Sequence, residues 1–543
     1  MISDRFNQRP LGTYDVCVIG SGPAGLTLAL ELERYGKSVL VLESGTIGPD
    51  ADQQSLAHAD ITDPARHDDM SIAVSRQLGG TSNLWGRRCQ PFDPIDFIPR
   101  PGMRAAWPIS YNDIRPHYAR AVDYLAAGAD AFTAPLTRQI IDNAFDPSRL
   151  ERFSNEPAIQ KHFTRELAAS QKVDIRLNST LVDMRYRDGA IEQITVADKD
   201  GTRHNLPVSK LVLACGGLET TRQLLALQAG EPQLFGGSDG PLGRYYMGHL
   251  IGEVADVTFR SADIDAAYDF FVDKHGTYAR RRLIPSDKTQ TEHDLPNISF
   301  WPVVPPVADP RHRNGILSMV CLAFAIPPLG RLLVAEAIRK RHIPAGIDWR
   351  AHISNILRDL PATMAYVPRF FFKRYFSRYR LPGFFLRNGG HRYGLSYHSE
   401  QSPLPESRVK LGKTKDRLGL PQLEVDYRFA RSDAEAIFRA HQQLAQWLTR
   451  TGLGKIEYRQ PEAETVEAIL ALAGHGTHQI GTARMGDTVE AGVVDANLRC
   501  FDIDNLYVAS SAVFPTSGQC NPTLSIAAFA VRLAEHLTED KQG

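Results

Sequence analysis

Gly20, Gly22 and Gly25 stand in the order G-x-G-x-x-G, and Glu43 follows at the end of the next apolar run. This is the spacing of a dinucleotide-binding turn. The first glycine permits a tight turn, the second lets a pyrophosphate approach the backbone, and the third lets helix and strand pack. The helix that follows points its positive N-terminus at the phosphates. Glu43 is then placed to accept hydrogen bonds from ribose hydroxyls. The motif and the acid do not separate FAD from NAD, and a bare glycine turn is the alternative that the surrounding strand and helix weigh against. Only one such fingerprint occurs, which disfavours a flavin reductase that also binds NAD(P)H. Cys17, Cys89, Cys215, Cys321, Cys500 and Cys520 show no C-x-x-C spacing. Neither a metal site, a disulfide framework nor a disulfide-reductase chemistry is therefore expected.

The elements that must hold this turn are legible around it. Tyr14 to Ile19 is a β-branched apolar run that stops at Gly20, Leu26 to Tyr35 continues with helical spacing, and Ser38 to Leu42 is a second run. At the other end of the chain, Asn505 to Ala509 reads as a strand and Thr523 to His536 as an apolar helix, with Asn521 and Pro522 at its start. Between them, Ile175 to Ala214 reads as hairpins turning at Asp188-Gly189 and Asp200-Gly201.

With 543 residues the chain suggests two or more domains and room for a large cofactor. Sixty-two basic residues balance sixty-two acidic ones, which argues against a nucleic-acid partner. The longest uncharged run, Ile316 to Gly330, is broken by Pro327 and Pro328 and is too short to span a bilayer. The N-terminus shows no secretion signal, so a cytoplasmic location is expected. One segment stands apart. Pro368 to Arg392 carries seven Lys/Arg, many aromatics and no acid. Three readings are open for it: a lid over the substrate cavity, a peripheral contact with anionic membrane lipid, and a nucleic-acid surface.

Three distant segments together resemble the glucose-methanol-choline family of flavoprotein oxidoreductases. Leu78-Gly-Gly-Thr-Ser-Asn-Leu-Trp85 resembles the loop that wraps the isoalloxazine ring, and His478-Gln-Ile-Gly-Thr-Ala-Arg-Met-Gly486 the segment carrying the first active-site histidine. The third runs from Gly492-Val-Val-Asp495 through Asn505-Leu-Tyr-Val to Asn521-Pro-Thr523. Gly243 to His249, Glu400-Gln-Ser-Pro and Ser407-Arg-Val409 are similar to sugar-oxidising members, while residues 252–399 match only loosely. A histidine paired with Asn-Pro-Thr is most similar to the pyranose oxidase, fructose dehydrogenase and cholesterol oxidase side.

The resemblance implies FAD and a set of residues to hold it: Gly79, Gly80, Ser82, Asn83, Leu84, Val182, Ser510, Ser511, Asn521, Pro522 and Thr523, beside the glycines and Glu43. It also implies an alcohol substrate whose hydride passes to flavin N5 while His478, an imidazole that titrates near neutrality, takes the hydroxyl proton. Asn521 would donate its amide to the substrate oxygen. Plain helix capping is the other reading of Asn521, and His475 is the other candidate base. His249 reads as structural, and Cys520 as a small apolar neighbour. Departures from the family matter too. Leu84 stands where several relatives attach FAD covalently through histidine, so FAD is expected to be non-covalent. Ser510 replaces an aspartate, and Asp502 replaces a turn glycine whose left-handed conformation it can adopt.

The expected fold is α/β: a doubly wound, Rossmann-like FAD-binding domain (12–100, 160–251 and 470–540) and an inserted α+β substrate domain on a mostly antiparallel sheet (101–159 and 252–469). The expected reaction is oxidation of a hydroxyl on a sugar, glycoside or polyol. A sterol-like or natural-product alcohol, or a non-catalytic flavin-binding protein, are the alternatives. O2, a quinone and a protein all remain open as electron acceptor.

Overall fold

The computed structural model describes residues 1–539 apart from 9, 101–102, 104–105, 137–139, 327, 329–345, 378, 380 and 384. Six strands are labelled here: β1 (Ile2–Ser3), β2 (Val16–Ile19), β3 (Val39–Leu42), β4 (Val173–Arg176), β5 (Leu211–Leu213) and β6 (Leu506–Val508). They form one sheet in the order β1-β4-β3-β2-β5-β6, with every pairing parallel. β2, β3 and β5 are buried along their whole length, as a parallel sheet covered on both faces requires. The chain winds outward from β2 to β3 and β4, then returns to the other side of β2 as β5. The order reverses between β2 and β5, and a crevice opens beyond their carboxyl ends.

Helix α1 (Pro23–Arg34) starts with proline in its first turn, where the missing N–H costs nothing. Leu26, Leu28 and Leu32 are fully buried, each contributing about 1.5–3 kcal/mol. The last helix, α2 (Thr523–Glu539), packs along α1. The hairpin region divides. Its ends, β4 and β5, belong to the parallel sheet, and only Thr180–Arg187, Ala190–Ala197 and Arg203–Pro207 form an antiparallel meander. Asp188 and Gly189 both take the left-handed region at its first turn, the requirement of the tight hairpin turn that Asp-Gly serves.

A second core is built on a four-stranded antiparallel sheet, in the order Ile298–Val303, Arg392–Glu400, His249–Phe259, Gly454–Tyr458. Helix Arg431–Arg450 covers it with Ile437, Leu444 and Trp447. The expected boundary at residue 101 does not hold. Trp107, Tyr118, Val122 and Leu125 join the core of the parallel sheet, because the helix Tyr118–Tyr124 lies on α2 and ties to it through Tyr118 Oη and Ser525 Oγ at 2.9 Å. Among the described residues no helix is long and apolar enough to cross a membrane.

Candidate active site

One cavity of about 460 Å³ runs from the glycine turn, past the loop around Gly80, to His478 and Asn521. At its first end Gly20 sits at φ 102°, and a Cβ there would lie 2.7 Å from the Ala214 carbonyl oxygen. A Cβ on Gly25 would come within 2.0 Å of the Gly20 carbonyl oxygen. Gly25 is thus the helix–strand packing glycine and does not line the cavity, whereas Gly20 and Gly22 do. Glu43 is buried. It accepts from Ser21 N–H (3.0 Å), Ser21 O–H (2.6 Å) and Gly45 N–H (2.7 Å). Two carboxylate oxygens offer about four acceptor sites. One therefore stays open for a ribose hydroxyl.

The loop after Leu78 is held from within. Gly79 and Gly80 both have positive φ, and a Cβ on Gly80 would meet the Gly22 Cα at 2.9 Å. That close backbone approach brings the loop against the dinucleotide turn. Ser82 O–H donates to the Gly79 carbonyl at 2.6 Å, and the Asn83 amide donates to the carbonyls of Leu78 and Gly80. Ser82 and Leu84 line the cavity; Asn83 holds the loop from behind. Ser510 and Ser511 also line it. The Ser510 hydroxyl accepts from Ala512 N–H, and the Ser511 hydroxyl donates to the Gln479 carbonyl, which anchors the His478 segment.

Two expected placements are corrected. Val182 is absent from the cavity wall: strand alternation turns it toward Leu56, Ala197 and Leu418, and Leu181 faces the cavity instead. Asp502 does not take the left-handed position of a glycine. Leu498 does, at φ 66°, and the Asp502 carboxylate accepts from Phe235 N–H.

At the far end, Asn521 Nδ2 lies 3.1 Å from His478 Nε2. The helix begins two residues later, so the Asn521 side chain caps nothing; it points at the imidazole. An amide nitrogen can only donate, so His478 Nε2 is the acceptor and its proton sits on Nδ1. Nδ1 is 2.8 Å from His249 Nδ1, which fixes that tautomer by accepting. His249 was read as structural; it is the partner of His478. Its ring stacks on His398 with centroids 4.1 Å apart, and the His398 Nδ1–H donates to the Gln519 carbonyl at 2.6 Å. His398 also lines the cavity. No motif singled it out, although it lies just before the Glu400-Gln-Ser-Pro segment. His475 lines the cavity too, but its Nε2 meets Thr477 Oγ1 at 2.9 Å and it makes no contact with Asn521.

Burial holds His478 well below the usual imidazole range, helped by His475, His249 and Arg88. It pushes His249 down to about 3 and His398 well down as well. The cluster is therefore neutral, and the His478 Nε2 lone pair is met by the Asn521 amide on the cavity wall. His249, His398 and His478 place nitrogens within 4.8 Å of one another, and their Nδ1 atoms are engaged in hydrogen bonds.

Two family descriptions match the chain: FAD dependent oxidoreductase over residues 15–284 and GMC oxidoreductase over residues 403–530. The chain is an FAD-dependent oxidoreductase with a GMC oxidoreductase C-terminal domain. Its relatives include a 2-methyl-1,2-propanediol dehydrogenase of Mycolicibacterium austroafricanum, 22% identical over 96% of this chain and 95% of the relative. A paromamine 6'-oxidase of Streptomyces fradiae is 24% identical over 97% and 92%. Among solved structures, pyridoxine 4-oxidase from Mesorbium loti superposes with a TM-score of 0.55 at 15% identity, covering 96% of this chain and 99% of that one.

The residues of this oxidoreductase fit FAD. The left-handed Gly20, the N-terminus of α1, the open acceptor site on Glu43 and the Gly22–Gly80 approach form a cradle along one continuous cavity. Leu84 offers no atom for a covalent link. Acid or heat denaturation is therefore expected to release free FAD into the supernatant; flavin that stays with the precipitated chain would overturn this.

Proposed function

We propose that this chain oxidises a hydroxyl group of a sugar, glycoside or polyol to a carbonyl, with His478 as base and Asn521 as the second contact to the reacting oxygen. The observation that carries the reading is the His478–Asn521 pair on the cavity wall. An alcohol oxygen that enters between them donates its proton to His478 Nε2 and accepts the Asn521 amide N–H. The His249 Nδ1 lone pair accepts a hydrogen bond from His478 Nδ1–H and so keeps the ring in the basic tautomer. When bound, the flavin supplies the acceptor for the hydride. As the proton moves, the His249 Nδ1 lone pair meets the charge developing on His478 and the Asn521 amide meets that on the substrate oxygen, so the pair favours the transition state over the resting alcohol.

The relatives' names support a polyhydroxylated substrate: a diol dehydrogenase, an oxidase of paromamine, and a C-glycoside 3-oxidase 31% identical over 27% of each chain. The same reading divides the chain into a doubly wound FAD-binding unit and an inserted substrate unit. Six free cysteines, five of them buried, support a cytoplasmic, reducing environment.

The test is anaerobic bleaching of the flavin by a panel of sugars, glycosides, polyols and hydrophobic alcohols, followed by O2 or a quinone. Bleaching by polyhydroxylated compounds, with colour restored by one acceptor, is expected. Bleaching by sterol-like alcohols alone would overturn the substrate class, and bleaching by none would overturn the enzymatic reading.

A further inference from the structure

The strand Ile298–Val303 leaves the edge of the antiparallel sheet and leads into a helical unit: Gly315–Ala325, Trp349–Arg358 and Leu360–Phe371, continued by a single wide turn, Phe372–Phe376. Its interior is small, built on Val307, Leu317, Cys321 and Leu386. Helix Trp349–Arg358 is amphipathic in the inverted sense. Its buried residues are polar: His352 Nδ1 pairs with Ser318 Oγ at 3.0 Å, and the Asn355 amide donates to the Pro310 carbonyl at 2.9 Å. Its outward residues are Trp349, Ile353 and Leu357. A surface helix of a soluble protein has the opposite arrangement.

The exposed stripe continues beyond this helix. Leu360, Met364, Phe372 and Phe376 prolong it at spacings of three, four or eight residues, with Met364 66% and Phe376 76% exposed. Exposed apolar side chains recurring at helical spacing mark an interaction surface. From Trp349 to Arg392 the sequence holds nine Lys/Arg and one acid, Asp359. That acid is already engaged by Arg358 and by the Gly315 N–H. Arg350, Arg369 and Lys373 are exposed beside the stripe. Of the basic aromatic segment, Arg378, Arg380 and Phe384 lie outside the described residues.

We propose that this face docks the enzyme on an anionic lipid surface, with Trp349, Leu357, Met364 and Phe376 among the acyl boundary and the arginines and lysine on the headgroups. The pairing of exposed apolar and cationic side chains on one helical unit suits a membrane interface. A second copy of the chain fits poorly. A two-fold contact would set each cationic stripe against its own image.

The test uses the FAD-loaded enzyme, whose flavin absorbance reports where it goes. Flotation with phosphatidylcholine vesicles, alone or mixed with phosphatidylserine, is compared at low and high salt. Binding to the mixed vesicles at low salt is expected, weakened by high salt. A triple variant, Leu357→Glu, Met364→Glu and Phe376→Glu, and a double variant, Arg369→Glu with Lys373→Glu, should each weaken binding on the order of tenfold or more. Bleaching by a soluble substrate should not change in either. Absence of flotation with anionic vesicles at low salt overturns the proposal, as does binding that neither variant weakens. A dimer that the triple variant splits, with no vesicle binding, overturns it in favour of a subunit interface.

Discussion

Replacing His478 by alanine should leave a protein that still carries FAD but is reduced by its substrate more slowly by a factor of about 10² to 10⁴. The imidazole offers the lone pair that faces the cavity beside Asn521. The glycine turn and Glu43, which would hold the dinucleotide, lie at the other end of the same cavity. Loss of the proton acceptor and loss of the cofactor are therefore separable. Asn521→Ala removes a hydrogen bond to an oxygen that gains charge in the reaction, worth about 10- to 100-fold, and so should slow reduction less. Because burial keeps His478 unprotonated well below its usual range, the reduction rate should stay level as pH falls through 6.5. It should decline only where the lowered pKa is reached. Anaerobic stopped-flow measurement of flavin bleaching checks all three points. Near-normal reduction in the His478 variant would falsify the assignment.

Acid should destabilise the fold steeply between pH 6.5 and about 4. His67, His249, His398 and His441 are almost wholly buried. Burial lowers the pKa of each, to about 3 for His249 and about 4 for His441. Once unfolded they titrate near 6.5. Below that value the unfolded chain binds protons that the native state refuses, so the stability they give above pH 6.5 is lost as pH falls. Buried Asp96 acts in the other direction: it is raised to about 8 and holds a proton that the unfolded chain lacks. The histidines lowered by burial outnumber the raised carboxyl, so the net effect is a loss of stability as pH falls below 6.5. Asp433, raised to about 6 by burial, trims this near pH 6, whereas His312, lowered to about 4, adds to it. Thermal melting of the holoenzyme followed by circular dichroism should show Tm falling between pH 6.5 and 5. A level Tm across that interval would show that these rings are protonated in the native state.

The dinucleotide turn was legible because its constraint is local. Gly20 and Gly25 answer to backbone clashes with Ala214 and with the Gly20 carbonyl, and such clashes select glycine whatever the rest of the chain does. Helix α1, strands β2 and β3, and the Asp188-Gly189 turn could be read for the same reason: apolar period and turn residues act within a few positions. His478 and Asn521 were reached through resemblance, since nothing in their spacing says that the two side chains meet.

What the sequence alone did not determine is the company of His478. The isolated bridge Met247↔Ile480 is antiparallel, and it sets His249 opposite His478. The pairing Ile251↔His398 in the antiparallel sheet then brings the third ring alongside. Strand register assembled across hundreds of residues is set by tertiary packing, so His249 read as structural and His398 went unnoticed. Val182 and the boundary at residue 101 failed similarly, because which face of a strand or helix is buried depends on what covers it. The apolar residues from Trp349 to Phe376 were visible in the sequence. Only the structure shows that they point outward, because the polar His352 and Asn355 have taken the inside.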